Sequence, residues 1–160
     1  MTLFAVTLSA LSLAAPMTVE VNRDRLTDRV SAVATLRSGD NRLELGCTPH
    51  ERRRIWVRLR SNRWFQGGDP IDGNISFRSR FDDRPARRWT WSVRERTALL
   101  VGRVRVERFV RELVASRQIL IRARGPERRR YDLVFEIDGA REAIGQALEA
   151  CGDRLSNRLG

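Results

Sequence analysis

The chain has 160 residues, which is long enough for one domain with a hydrophobic core. Hydrophobic residues make up 41% of it, which excludes an intrinsically disordered chain although 32% of the residues are charged. The net charge is +11, and all 31 basic residues are arginine. Arginine suits phosphate and carboxylate groups, so a polyanionic ligand is one interpretation, and a GC-rich coding bias that replaces surface lysine is the plainer one.

The chain begins with an uncharged apolar run over residues 3–15, LFAVTLSALSLAA. The run is short for a membrane-spanning helix and matches the apolar region of a secretory signal. Ser12 and Ala14 supply the small residues that a signal peptidase reads, so we expect a signal peptide over residues 1–14 and an N-terminal extension over 15–29. No basic residue precedes the run, and a buried strand or helix is therefore the alternative. No second apolar stretch could cross a membrane, so the mature chain is expected to have no transmembrane segment.

Cys47 and Cys151 are the only cysteines, and each follows a predicted regular element. In an exported protein an even number of cysteines indicates disulfides, and two cysteines allow one pairing. That bond would close a loop of roughly 100 residues and contribute ~4–5 kcal/mol in the chain-entropy account. The alternative is two buried free thiols in a cytosolic domain. No CxxC motif occurs and His50 is the single histidine, so no metal site is predicted.

Apolar and polar residues alternate through the first part of the chain, as is typical of antiparallel strands. In IWVRLR, for example, Ile55, Val57 and Leu59 share one face of the predicted strand. The sequence SGDN suits a hairpin turn, and residues 66–74 form a loop rich in Gly, Pro and Asp. Strands are predicted over residues 30–37, 42–47, 55–60, 75–81, 88–93 and 98–102.

The pattern then changes to helical spacing. An amphipathic helix is predicted over residues 106–117, strands over 118–124 and 129–137, and a last helix over 140–151 with Asp138 as its N-terminal cap. Short strands followed by two late helices predict a β-rich α+β domain over residues 30–152. We expect an antiparallel sheet or a sandwich closed by the two helices, and a flexible tail over residues 153–160.

The order of these elements resembles the VasI/TagO-type accessory proteins of type VI secretion, and more loosely small periplasmic proteins such as invasion-associated locus B. The resemblance covers residues 30–151 and rests on LELGC, IWVRL, FRSRFDDRPARRWTWS and FEIDGAREAIGQALEACG. It implies a secreted, disulfide-closed, non-enzymatic accessory domain. The chain departs from the family pattern in its less regular start and its high arginine content.

The residues that could support catalysis form no catalytic motif. Asp82 and Asp83 are adjacent, so in a strand they would point to opposite faces and make no acid/base pair. Asp69, Asp72 and Asn74 lack the closing glutamate of a calcium loop, which favours a solvated loop. We therefore predict a protein that is not an enzyme and has no catalytic residues, cofactor or metal.

Arginine and tryptophan are concentrated in two stretches, which are candidates for a polyanion-binding surface. If the predicted strands that contain these stretches are neighbours, their arginines form one cationic surface with aromatic rings in it. Such a surface suits phosphate contacts and base stacking. Alternatively, the arginines are simply solvated and the tryptophans cover the edge of the core. The candidate residues are Arg52, Arg53, Arg54, Trp56, Arg58, Arg60, Arg78, Arg80, Trp89 and Trp91.

These observations predict a periplasmic or secreted binding protein that acts in a secretion or envelope assembly. A protein partner in the cell envelope is expected. An acidic polymer is the next candidate, and export disfavours nucleic acid. The alternative function is a polyanion- or nucleic-acid-binding module that uses the arginine and tryptophan residues.

Overall fold

The computed structural model describes residues 16–48, 54–65 and 73–154. The predicted signal peptide, His50, Arg52, Arg53 and most of the loop over residues 66–74 therefore lie outside the described residues. The elements are β1 (Thr18–Arg23), β2 (Val30–Ser38), β3 (Asn41–Thr48), β4 (Arg54–Arg60), β5 (Asn74–Phe81), β6 (Arg87–Arg94), β7 (Thr97–Leu100), α1 (Arg103–Val114), β8 (Gln118–Arg124), β9 (Arg130–Glu136) and α2 (Ala140–Ala150).

All nine strands of the described chain belong to one antiparallel sheet, in the order β1-β2-β3-β4-β7-β6-β5-β8-β9. The sheet is open, with β1 and β9 at its edges, and it is curved, since Cα atoms of β2 and β9 come within 8 Å of each other. The N–H of Met17 donates to the carbonyl of Asp138 (3.0 Å), which joins the start of β1 to the end of β9. The predicted β-rich α+β class is confirmed as a single sheet, whereas a sandwich is not confirmed.

Helix α1 contributes the centre of the core between the helices and the sheet. Its Phe109 is fully buried and packs edge-to-face against Phe81, Trp89 and Trp91 of β5 and β6, with ring centroids 5.3, 5.1 and 5.8 Å away. Edge-to-face geometry aligns the positive ring edge with a negative ring face, so each pair adds to the energy of burial.

Helix α2 packs on β1, β2 and β3, and it buries Ile144, Ala147 and Leu148. Cys151 follows its last turn, and Cys47 lies on the inward face of β3. The two sulfur atoms are 2.04 Å apart, at disulfide-bonding distance, and the Cα atoms are 6.3 Å apart. The cysteine pair predicted from the sequence is thus the pair that the fold brings together.

Strand β1 is an element that the sequence did not predict. Thr18–Arg23, which fall in the expected N-terminal extension, pair with β2 along their whole length. Met17, Val19 and Val21 alternate with Thr18 and Glu20, but the strand lies at an edge of the sheet and is mostly exposed, and the sequence analysis did not assign this short pattern to a strand.

The ends of the helices also differ from the prediction. Helix α1 spans Arg103–Val114 rather than 106–117, because Gly102, with φ 93°, turns the chain directly from β7 into the helix. The cap predicted for α2 is wrong: Gly139, with φ 63°, occupies the N-cap position and no side chain caps the helix. Glycine adopts this left-handed backbone without the steric cost that a Cβ would add.

Candidate binding surface

The outer face of the sheet, which points away from the helices, carries Arg58 and Arg60 of β4 and Arg78 and Arg80 of β5. Arg58 and Arg60 alternate with the buried Val57 and Leu59, as the period of two predicted. Arg78 and Arg80 alternate in the same way with the buried Phe77, Ser79 and Phe81 of β5. Arg54 begins β4.

A first row of arginines crosses β2, β3 and β4. Arg37 lies opposite Arg42, and Arg42 lies opposite Arg60 in the strand register. Three positive charges on adjacent strands make this first arginine row a region of positive potential. Like charges directly opposite each other also destabilise a sheet. The buried carboxylate of Glu44 partly offsets it, since Glu44 accepts a hydrogen bond from Arg58 Nε and lies 3.5 Å from Arg60 Nε.

Besides the first arginine row, the outer face carries two apolar residues, Trp56 of β4 and Leu99 of β7, which we call its apolar centre. The indole of Trp56 lies over Gly46, where a Cβ would approach its Cζ2 atom to 2.1 Å. The guanidinium carbon of Arg58 is 4.7 Å from the Trp56 ring centroid, within the range of a cation–π interaction. Leu99 pairs with Arg58 across β4 and β7, and its side chain is 43% exposed.

A second row of arginines crosses β6, β5 and β8. Arg78 lies opposite Arg88 on one side and Arg122 on the other. Arg122 donates two hydrogen bonds of 2.7 Å to Asp132 of β9, and these bonds lower the pKa of Asp132 and raise that of Arg122. Within the described ranges no carboxylate forms an ion pair with Arg78 or Arg88, so the second arginine row is compensated at one end only.

The structure changes the composition of the predicted surface. Trp89 and Trp91 point inward and are 3% and 0% exposed, so they belong to the core around Phe109 and are corrected out of the candidate surface. Strands β4 and β5 are not neighbours, because β7 and β6 lie between them. The two predicted stretches nevertheless share the outer face of one sheet.

Four residues of this surface were missed by the sequence analysis. Strand pairing places these residues on the outer face, so they are identified from the strand register: Arg37, Arg42, Leu99 and Arg122.

Asp82, one of the acidic residues considered for catalysis, has a structural role. Asp82 adopts a φ of 48°, and its Oδ1 accepts hydrogen bonds from the N–H groups of Arg117 (2.9 Å) and Gln118 (3.0 Å). Burial raises the pKa of Asp82, but these two donors and the nearby arginines together lower it below its ordinary value. Asp82 therefore fixes the start of β8. In the described part of the chain no three His, Cys, Asp or Glu side chains are grouped as metal ligands would be.

Comparisons with protein-family models, with curated proteins and with solved structures found no match. The resemblance to the VasI/TagO-type proteins therefore stays a prediction. Among the described residues, neither helix has the length and apolar character needed to span a bilayer.

Proposed function

We propose that this protein is a non-enzymatic binding protein of the periplasm or the extracellular space, where it docks an acidic protein surface within a secretion or envelope assembly. The observation that carries this proposal is the outer face of the sheet, where two arginine rows flank Trp56 and Leu99.

The charge of the outer face supports an acidic partner. Arg37, Arg42 and Arg60 repel one another at the spacing of adjacent strands, and an acidic group placed over them would relieve that repulsion. The apolar centre supports a protein as that partner. Tryptophan and arginine are the residue types that contribute most to the energy of protein interfaces.

The cysteine pair supports a location outside the cytoplasm. Cys47 is 2% exposed, and its sulfur lies at bonding distance from that of Cys151. Disulfides persist in oxidising compartments and are rare in the cytosol. The signal-like residues 1–14 and the family resemblance agree with this location.

The second candidate function is a polyanion- or nucleic-acid-binding module. The second arginine row favours it, because Arg78 and Arg88 supply charge without an acidic neighbour among the described residues. Binding of this kind weakens steeply with salt, since counterions are released from the polymer.

Photo-crosslinking in the native host tests the proposed function. A benzophenone amino acid at Leu99 should capture one acidic protein, and the double variant Arg37→Gln/Arg42→Gln should abolish capture. Arg111→Gln/Arg141→Gln, which removes the same charge from exposed helix positions, is the matched control and should retain capture. Capture that survives in Arg37→Gln/Arg42→Gln would contradict the proposal.

Two further measurements separate the alternatives. Salt-dependent heparin or DNA binding that is lost in Arg78→Gln/Arg80→Gln, without any protein captured at Leu99, would favour the polyanion module. The intact mass of the mature protein tests export, because cleavage after Ala14 and the loss of two hydrogens are both expected. A full-length chain with two thiols would rule out the exported location.

A further inference from the structure

A small cavity lies between the first turns of α1 and the start of β6, away from the apolar centre of the outer face. Its volume is about 150 Å³, and its walls are formed by Arg87, Arg88, Trp89, Val104, Arg105 and Arg108. Only Arg88 is shared with the surface of the proposed function.

The cavity combines four arginines with little acidic compensation. Arg87 Nη1 lies 3.5 Å from Glu112 Oε1, and Glu112 also binds Arg84. No ion pair of Arg88, Arg105 or Arg108 occurs with the residues that the structure describes. Since the side chain of Arg88 belongs to the outer face, the positive potential at the cavity comes from Arg87, Arg105 and Arg108, and an anion would neutralise it.

The first turn of α1 has unused hydrogen-bond donors at the same cavity. Helix α1 begins beside it without a capping side chain and without an acidic residue in its first turn, so the N–H groups there have no intrahelical acceptor. Trp89 forms part of the wall, and its buried Nε1–H has no acceptor within the described ranges. An anion in the cavity would accept hydrogen bonds from these helix N–H groups and from the arginine side chains.

We propose that this cavity binds a phosphate group, carried either by a small phosphorylated molecule or by a phosphomonoester lipid. A phosphate supplies several acceptor oxygens and up to two negative charges, which match the planar forks of several arginines. Val104 is 68% exposed beside the cavity and offers an apolar contact for the organic part of the ligand.

Calorimetric titration with inorganic phosphate and with pyrophosphate tests the site. One equivalent should bind, and Arg105→Gln/Arg108→Gln should weaken the affinity at least about tenfold, because charge-assisted hydrogen bonds are lost. The matched control Arg111→Gln/Arg141→Gln and the outer-face variant Arg37→Gln/Arg42→Gln should both bind like the wild type. Equal affinity in Arg105→Gln/Arg108→Gln and the wild type, or loss in Arg37→Gln/Arg42→Gln, would overturn the proposal.

The tryptophan provides an independent readout. Pyrophosphate should shift the indole N–H resonance of Trp89, which a Trp89→Phe variant identifies, and should leave that of Trp64 unchanged. An unmoved Trp89 resonance at saturation would contradict binding in this cavity.

Vesicles distinguish the source of the phosphate group. If the protein binds phosphatidic acid vesicles and pyrophosphate displaces it from them, the cavity is assigned to a lipid headgroup. If the protein binds pyrophosphate but not the vesicles, the cavity is assigned to a soluble phosphorylated molecule. Phosphatidic acid binding that Arg105→Gln/Arg108→Gln retains would place the anion elsewhere and refute the site.

Discussion

At the scale of the residue, Trp56 can lie on the outer face because Gly46 beneath it has no side chain. A Cβ at position 46 would lie 2.1 Å from Cζ2 of the indole, far below van der Waals contact, so any larger residue there must displace the ring. Displacement would also remove Trp56 from Arg58, which stacks on its ring.

We therefore expect Gly46→Ala to lower the free energy of unfolding by ~1–3 kcal/mol, as overpacking does in other proteins. Gly145→Ala is the matched control, because nothing lies within 4 Å of a Cβ at this helical position. It should raise the free energy of unfolding by ~0.5–1 kcal/mol through its higher helix propensity. Chemical denaturation checks both values, and equal stabilities of the two variants would contradict the packing described for Trp56.

The tryptophans also show what a residue pattern can and cannot predict. In RWTWSV, Trp89 and Trp91 fall on the same side of the strand because they are two positions apart. Val93 lies on that side as well, whereas Arg88, Thr90 and Ser92 lie on the other, so the period of two indicates buried tryptophans. Their assignment to the surface departed from this pattern, and their packing against Phe109 shows them in the core.

At the scale of the element, Cys151 fastens the end of α2 to the inward face of β3. The helix packs through the large side chains Ile144 and Leu148 and through small residues such as Ala147, and the covalent link adds to this apolar contact. The linked residues are 104 positions apart in the chain, and closing so long a loop restricts the unfolded state strongly.

Cys151→Ser should lower the free energy of unfolding by ~2–5 kcal/mol under oxidising conditions. Thermal melting checks this, and a reducing agent should bring the wild type to the stability of the variant. Equal melting of the two proteins without reductant would show that the bond does not form.

The element boundaries were predictable where packing is regular on one side. Strands β5, β6, β8 and β9 follow the alternation of their sequences, because every second side chain is buried along most of their length. Strand β1 has almost no buried face, and the start of α1 is set by the backbone of Gly102. The alternation of Met17, Val19 and Val21 is short and was missed, and the start of α1 has no periodic signal of its own.

At the scale of the whole molecule, the strand order concentrates positive charge on one face. Arg37, Arg42 and Arg60 come from three consecutive strands and meet because the register aligns them. A chain of net charge +11 already favours expanded states through self-repulsion, and the alignment of these arginines adds local electrostatic repulsion to the folded state.

Arg42→Thr should therefore raise the free energy of unfolding at low salt, by ~0.2–1 kcal/mol for each like-charge pair removed. Arg94→Thr is the control, because Arg94 lies opposite Thr97 rather than opposite another arginine. The difference between the variants should shrink as salt screens the charges. Denaturation at several salt concentrations measures this, and a difference that salt leaves unchanged would exclude repulsion as its cause.

The sequence by itself determined the β-rich α+β class, the positions of nearly all strands, the two helices and the single cysteine pair. These features depend on local periodicity and on the number of cysteines, which the chain displays directly. Only the tertiary structure decided the strand order, the position of Arg60 opposite Arg42, the packing of Trp89 and Trp91 around Phe109, and the cavity beside α1. These depend on contacts between residues far apart in the chain, where packing energy rather than local pattern selects one arrangement.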